Sequence, residues 1–162
     1  MEDIKEQKPG ERPSLPAFEA ELEEKVIQVN RVSKKTKGGN RISFAALTVV
    51  GNGKGRVGVG LGKSKDVASA IAKGMNYARK HMITVPLHGT TIPHRVLVKF
   101  GAAKVLLKPA PLGSGLIAGG PVRAVVQVAG IKDLSSKILG TENKASNVYA
   151  TFAALKRLKE KI

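Results

Sequence analysis

From Lys25 to Leu61 three apolar runs are separated by short polar stretches that carry glycine; the first alternates loosely and the last has a period of two. "KVIQVNRVS", Lys25 to Ser33, predicts a strand, and "RISFAALTVV", Arg41 to Val50, predicts a stronger one, rich in β-branched and aromatic residues. "KKTKGGN", Lys34 to Asn40, reads as a basic hairpin loop with Gly38-Gly39 as its turn signal. "GNGKG", Gly51 to Gly55, is a second turn, and "RVGVGLG" a third strand in which Gly58, Gly60 and Gly62 alternate with Val57, Val59 and Leu61. The period then changes. Val67, Ile71, Met75, Ala78 and Met82 share one face at helical spacing, with Ser64 available as a cap and Asp66 at the positive end of the helix dipole. A strand face made of glycine serves either close helix packing or the approach of a ligand to the backbone, and the sequence leaves both open.

The second half mixes signals. "VPLHGTTIPH" is a turn-rich joint, followed by two strand-like runs, "RVLVKFG" and "AKVLLKPA", with a hairpin at Gly101-Ala102. "PLGSGLIAGGP", Pro111 to Pro121, is a loop of small residues. The β-branched residues of "VRAVVQVAG" suit a strand. Pro121 before it, Gly130 at its end and the shared face of Val122, Val125, Val126 and Ala129 decide for a helix. "IKDLSSKILG" reads as a strand, and Asn147 to Ile162 as a last helix with Val148, Thr151, Phe152, Leu155 and Leu158 on one face.

Charge changes the picture. The net charge of +16 is divided: residues 1–24 hold 8 of the 12 acids and 3 of the 28 cations, and no acid lies between Lys25 and Lys65. One-sided charge on this scale points to a polyanion, nucleic acid before membrane, since no basic amphipathic helix with large apolar anchors stands out. Residues 1–21, with three prolines and mixed charge, read as a disordered acidic tail. The absence of cysteine excludes disulfides and thiolate metal sites and fits a reducing compartment. No apolar run is long enough to span a bilayer, and the polar N-terminus is no secretory signal.

Enzymatic readings fare poorly. After residue 24 the carboxylates are Asp66, Asp133, Glu142 and Glu160, too scattered to suggest paired-acid chemistry, and His81, His88 and His94 have no metal-ligand spacing. "GLGKS" ends like a phosphate-binding loop, but Val57 stands where the first glycine of that motif belongs. Gly53-x-Gly55-x-x-Gly58 matches a dinucleotide fingerprint yet enters a strand instead of leaving one. We therefore expect no cofactor, no metal, no nucleotide and no catalysis.

The β-β-β-α order of the first half, with cationic loops, resembles a double-stranded-RNA-binding fold without its first helix. Two longer stretches, "VNRVSKKTKGGNRISFAALTVVGNGKGRVGVGLGKSKDV" and "KFGAAKVLLKPAPLGSGLIAGGPVRAVVQVAGIKDLSSKILG", closely resemble the bacterial family of the fifth small-subunit ribosomal protein, over roughly residues 22–158. The chain departs from that family at "GTENKASNVYAT", where an Asn-Pro step usually precedes the last helix. The resemblance implies an α+β protein: an acidic tail over 1–21, a double-stranded-RNA-binding-like domain over 22–88, and over 89–162 a two-layer α+β sandwich with a left-handed βαβ crossover. It further implies a cytoplasmic structural protein of the small ribosomal subunit that binds ribosomal RNA and ties head to body. By the same resemblance the protein touches the fourth and eighth small-subunit proteins, lies near incoming messenger RNA and influences accuracy. A free double-stranded-RNA-binding factor is the alternative, and it leaves residues 89–162 without a role.

Charge and resemblance together mark the RNA-binding candidates. Arg31, Ser33, Lys34, Lys35, Lys37, Gly38, Gly39 and Arg41 surround the first loop, Lys54 and Arg56 the second turn, and Lys63 and Lys65 the end of the third strand. By resemblance the first loop reaches RNA of the head near the spectinomycin site, with Ser33, Lys37 and Gly39 at matching positions. The loop from Lys108 to Arg123 is small, apolar and nearly uncharged, and reads as a protein interface; Gly113, Gly115 and Arg123 match positions near the contact with the fourth protein.

Overall fold

The computed structural model describes residues 22–159, so the proposed acidic tail lies outside the described residues. Two four-stranded sheets and three helices make an α+β fold. The first sheet has the order β1 (Glu23–Thr36), β2 (Gly39–Gly51), β3 (Arg56–Ser64), β4 (Ile83–Thr84), all antiparallel, and α1 (Val67–Lys80) follows β3. The second has β5 (Val96–Phe100), β6 (Ala103–Pro109) and β8 (Leu134–Ile138) antiparallel in turn, with β7 (Leu116–Ile117) parallel to β8 at the edge. α2 (Gly120–Val128) joins β7 to β8 in a βαβ unit, and α3 (Lys144–Lys156) ends the described fold.

The glycines of β3 decide how the first layers meet. A Cβ on Gly58, Gly60 or Gly62 would collide with the carbonyl oxygens of Ala78, Gly74 and Ala70, the buried residues of α1. The helix thus rides on bare backbone. Thr48 fills the remaining groove: its hydroxyl donates to the Gly60 carbonyl at 3.2 Å, and a Cβ on Gly74 would meet its Oγ1 at 2.8 Å. The glycine face therefore serves helix packing and leaves no room there for a phosphate. Asp66, not Ser64, caps α1, its carboxylate accepting the Ser69 N–H at 3.3 Å, because β3 pairs as far as Ser64 opposite Phe44.

The other face of this sheet builds the common core. Leu47, Val49, Val57 and Val59 pack in one cluster with Val122, Val125, Val126, Val148 and Leu155 of α2 and α3, and with Val98, Val105 and Leu107 of the second sheet. The layers run α1, first sheet, α2 with α3, second sheet. β2 is buried on both faces from Ala45 to Gly51, which is why its sequence reads as a continuous apolar run. Backbone bonds join the two halves as well. The turn after β2 donates from Gly53 N–H to the Val128 carbonyl at 3.1 Å and from Gly55 N–H to the Ala129 carbonyl at 2.8 Å. These are carbonyls at the C-terminal end of α2, which its own helix leaves without donors. Gly130, at φ 89°, lies so close to the Gly53 carbonyl that a Cβ would collide with it.

The last helix begins three residues earlier than its apolar face suggests. Asn143 caps it by accepting the Ala145 N–H at 3.0 Å, so an asparagine with no proline after it starts the helix. It ends at Lys156, before the expected Ile162; residues 160–162 lie outside the described range. The loop between β6 and β7 is tied down by Asp133, which is 4 % exposed. Its carboxylate accepts the Thr90 hydroxyl at 2.6 Å and the Gly115 N–H at 2.9 Å. The Thr90 bond, then the backbone bonds of Gly115 and Gly113 and the nearby Lys132, hold its pKa below the ordinary 3.8 against the opposing effect of desolvation.

Two outcomes follow. Gly60→Ala should destabilise the protein by about 3 kcal/mol or more, since neither backbone can yield independently, whereas Gly38→Ala, which meets open space, should change stability by less than about 0.5 kcal/mol. Thermal unfolding of both variants checks this. A lowered folded pKa means that the charged Asp133 stabilises above its unfolded pKa, and that this contribution is lost as pH falls through the folded value. The unfolding temperatures of wild type and Asp133→Asn should therefore differ at neutral pH and converge below the ordinary carboxylate pKa of 3.8; a constant gap through strong acid would count against the charge.

Candidate nucleic-acid interface

The hairpin of β1 and β2 outgrows its sheet. Residues 29–42 are all exposed, and pairing continues without a break to Thr36 opposite Gly39. The segment expected as a loop, Lys34 to Asn40, is thus mostly paired strand. The turn is the two residues Lys37-Gly38, not Gly38-Gly39, and the Thr36 hydroxyl closes it by donating to the Gly39 carbonyl at 2.6 Å. Gly39 has φ 123°, a conformation that side chains resist. Polar residues show no burial alternation, so the backbone pairing that orders them left no trace in the pattern.

Register sorts the cations by face, because directly opposed residues point the same way. Lys34 stands opposite Arg41, and Asn30 opposite Ala45 and so Lys63; these share the face that turns away from α1. Arg31, opposite Phe44 and Ser64, lies on the helix side with Ser33 and Lys35. Lys37 is at the tip, and Lys65 is exposed just before α1. Both faces also carry exposed β-branched apolar residues that charge-based reading passed over, Val32 on the Lys34 face and Val29 and Ile42 on the Ser33 face. Like charges directly opposed across strands repel. No acid lies between Lys25 and Lys65 to relieve them, and Glu24 at the start of β1 is engaged by Arg79 of α1.

Lys54 and Arg56 belong elsewhere. They flank the turn after β2, at the opposite end of a strand that spans roughly 40 Å at ordinary rise. Asn52 Oδ1 there accepts the backbone N–H of Lys54 at 2.9 Å and of Arg56 at 3.0 Å, and the same turn docks on α2. The structure therefore gathers Arg31 to Arg41 with Lys63 and Lys65, and separates Lys54 and Arg56 from them.

The candidate protein interface is a stiff loop. Pro111 O accepts both the N–H and the hydroxyl of Ser114, at 3.2 and 2.7 Å, and Gly113 and Gly115 have φ of 86° and 70°. Arg123 reaches back from α2 to donate to the Leu116 carbonyl at 3.3 Å, so it braces the loop. Lys108 sits apart from these, in the ladder of β6 opposite Ser135. Among the described residues the most exposed large apolar one is Leu112 at the loop tip, 83 % exposed; its place between Pro111 and Gly113 in a turn was the available signal.

Both halves of this arrangement have counterparts among known families. Residues 22–86 match the N-terminal domain of ribosomal protein S5, and residues 98–161 match its C-terminal domain. That family is structural and non-enzymatic in kind, and its members bind ribosomal RNA within the ribosome. With most of its length matched in the right order, a projecting cationic ribbon and a glycine strand sealed beneath a helix, this chain belongs to the ribosomal protein S5 family.

Proposed function

We propose that this protein holds small-subunit ribosomal RNA through the β1–β2 ribbon together with Lys63 and Lys65, and that the ribbon reaches RNA of the head while the second domain stays with the body. The observation that carries the reading is the cross-strand pair Lys34–Arg41 on a fully exposed, acid-free hairpin, an arrangement that a polyanion relieves. The loop from Lys108 to Arg123, with Leu112 at its tip, docks on the fourth small-subunit protein, and another surface meets the eighth. Through these contacts the protein influences translational accuracy and borders the path by which messenger RNA enters. The domain limits 22–88 and 89–162 are part of the same proposal; the joint between them is the turn-rich stretch before β5.

Replacing Lys34–Arg41 by Asn-Gly keeps Ser33 opposite Ile42 across a two-residue turn. The shortened protein should unfold within a few degrees of wild type, because the removed residues are exposed. The magnitude of its salt slope for binding a small-subunit ribosomal RNA transcript should fall by about 3, at roughly 0.7–0.9 for each of the lost cations Lys34, Lys35, Lys37 and Arg41. An unchanged slope would sink the ribbon's role in RNA binding. Spectinomycin sensitivity of cells carrying the variant tests the head site separately. For the loop, Leu112→Asp should leave folding and RNA binding unchanged, within about 0.5 kcal/mol, and alter misreading in cells. Normal misreading with normal incorporation into subunits would count against the interface.

A further inference from the structure

The second sheet is covered by helices on one face only. Val98, Val105, Leu107 and Leu134 turn inward and are buried. The alternate positions point outward, and the register arranges them in rows. Lys99 is directly opposite Lys104, and Leu97 is opposite Leu106, which in turn faces Lys137. Leu139, whose N–H donates to the Lys104 carbonyl at 2.8 Å, prolongs the first row. No carboxylate occupies any of these positions.

Lys99 and Lys104 repeat on this sheet the opposed like charges of the ribbon, again with no carboxylate among their register partners. A face that only had to stay soluble would mix signs. Leu97 and Leu139, 45 % and 53 % exposed, lie among the lysines, where aliphatic lysine stems extend over apolar surface and leave the ammonium groups outward. The outward positions of β5, β6 and β8 include no Trp, Tyr or Arg, the side chains that anchor protein interfaces, and lysine is depleted where proteins meet. Rows of ammonium groups on a flat surface suit a run of phosphates.

We propose that the outer face of the second sheet is a second RNA-backbone surface, separate from the ribbon and engaging phosphates through Lys99, Lys104 and Lys137. This rests on the RNA-binding reading above and adds a site to it.

The test uses the full chain, a Lys99→Gln/Lys104→Gln/Lys137→Gln variant and a Lys34→Gln/Lys35→Gln/Arg41→Gln variant, each titrated with a small-subunit ribosomal RNA transcript over a range of salt. Each triple variant should lower the magnitude of the salt slope by about 2, and their losses in log affinity should add, as for independent sites. A wild-type slope for the sheet variant beside a lowered slope for the ribbon variant overturns this proposal alone. Wild-type slopes for both overturn the ribbon reading with it. If the sheet variant loses binding to polyglutamate but not to RNA, the face serves an acidic protein and the proposal fails. Should the sheet variant misfold, lysine acetylation of the wild type decides: bound RNA should protect these three lysines, and their full reactivity in the complex overturns the assignment.

Discussion

The contact on which the structure depends is the approach of α1 to β3, backbone against backbone. Three glycines on the strand lie under Ala70, Gly74 and Ala78 of the helix, with Thr48 beside Gly74. A side chain at any of these strand positions would lift the helix off the sheet. Covered by α1 on one face, the sheet is free to use the other face for the common core, where Leu47, Val49, Val57 and Val59 meet α2 and α3. A strand with helices on both sides is rigid, and the ribbon continues β2, which pairs directly with it, together with β1 beyond. The cationic hairpin therefore projects from a stiff base as paired strand, not as a slack loop.

The same dependence on bare backbone explains the false resemblance to a nucleotide site. Alternating glycines before Lys63 and Ser64 look like a cradle for phosphate because both uses demand the same thing, a main chain that another group can approach closely. What differs is the occupant. Here the occupant is a column of helix carbonyls, negative ends of peptide dipoles, which would repel a phosphate as firmly as they exclude it by volume.

Much of this was legible in the sequence where burial leaves a period. β2 appears as a run of β-branched and aromatic residues, β3 as strict alternation and α1 as a stripe at helical spacing, and α2 follows from Pro121, Gly130 and one valine face. The parts that were not legible have physical reasons. β4 and β7 are two residues long and too short to carry a period. The distal ribbon is ordered by backbone pairing among polar residues, which composition reads as loop. The cap of α1 moved from Ser64 to Asp66 because tertiary pairing extended β3 over a residue that local preference assigned to the helix. Whether Gly58, Gly60 and Gly62 faced a helix or a ligand depended on what lay above them, which no local pattern records. At the candidate site, charge located the ribbon but could not separate Lys54 and Arg56 from it, since separation depends on which end of a long strand each occupies.

The turn from Asn52 to Gly55 finishes a helix that it does not belong to, and chain order gives this a direction in time. Synthesis proceeds from the N-terminus, and domains fold largely in that order as they emerge. The amide donors of Gly53 and Gly55 are thus in place before the carbonyls of Val128 and Ala129 exist. The first domain presents a finished edge, and α2, made later, has its C-terminal end completed by docking onto it. Cut free of the first domain, the second would begin life with that end open to water. The two halves are accordingly distinct in architecture yet ordered in assembly, the earlier acting as a template for a boundary of the later.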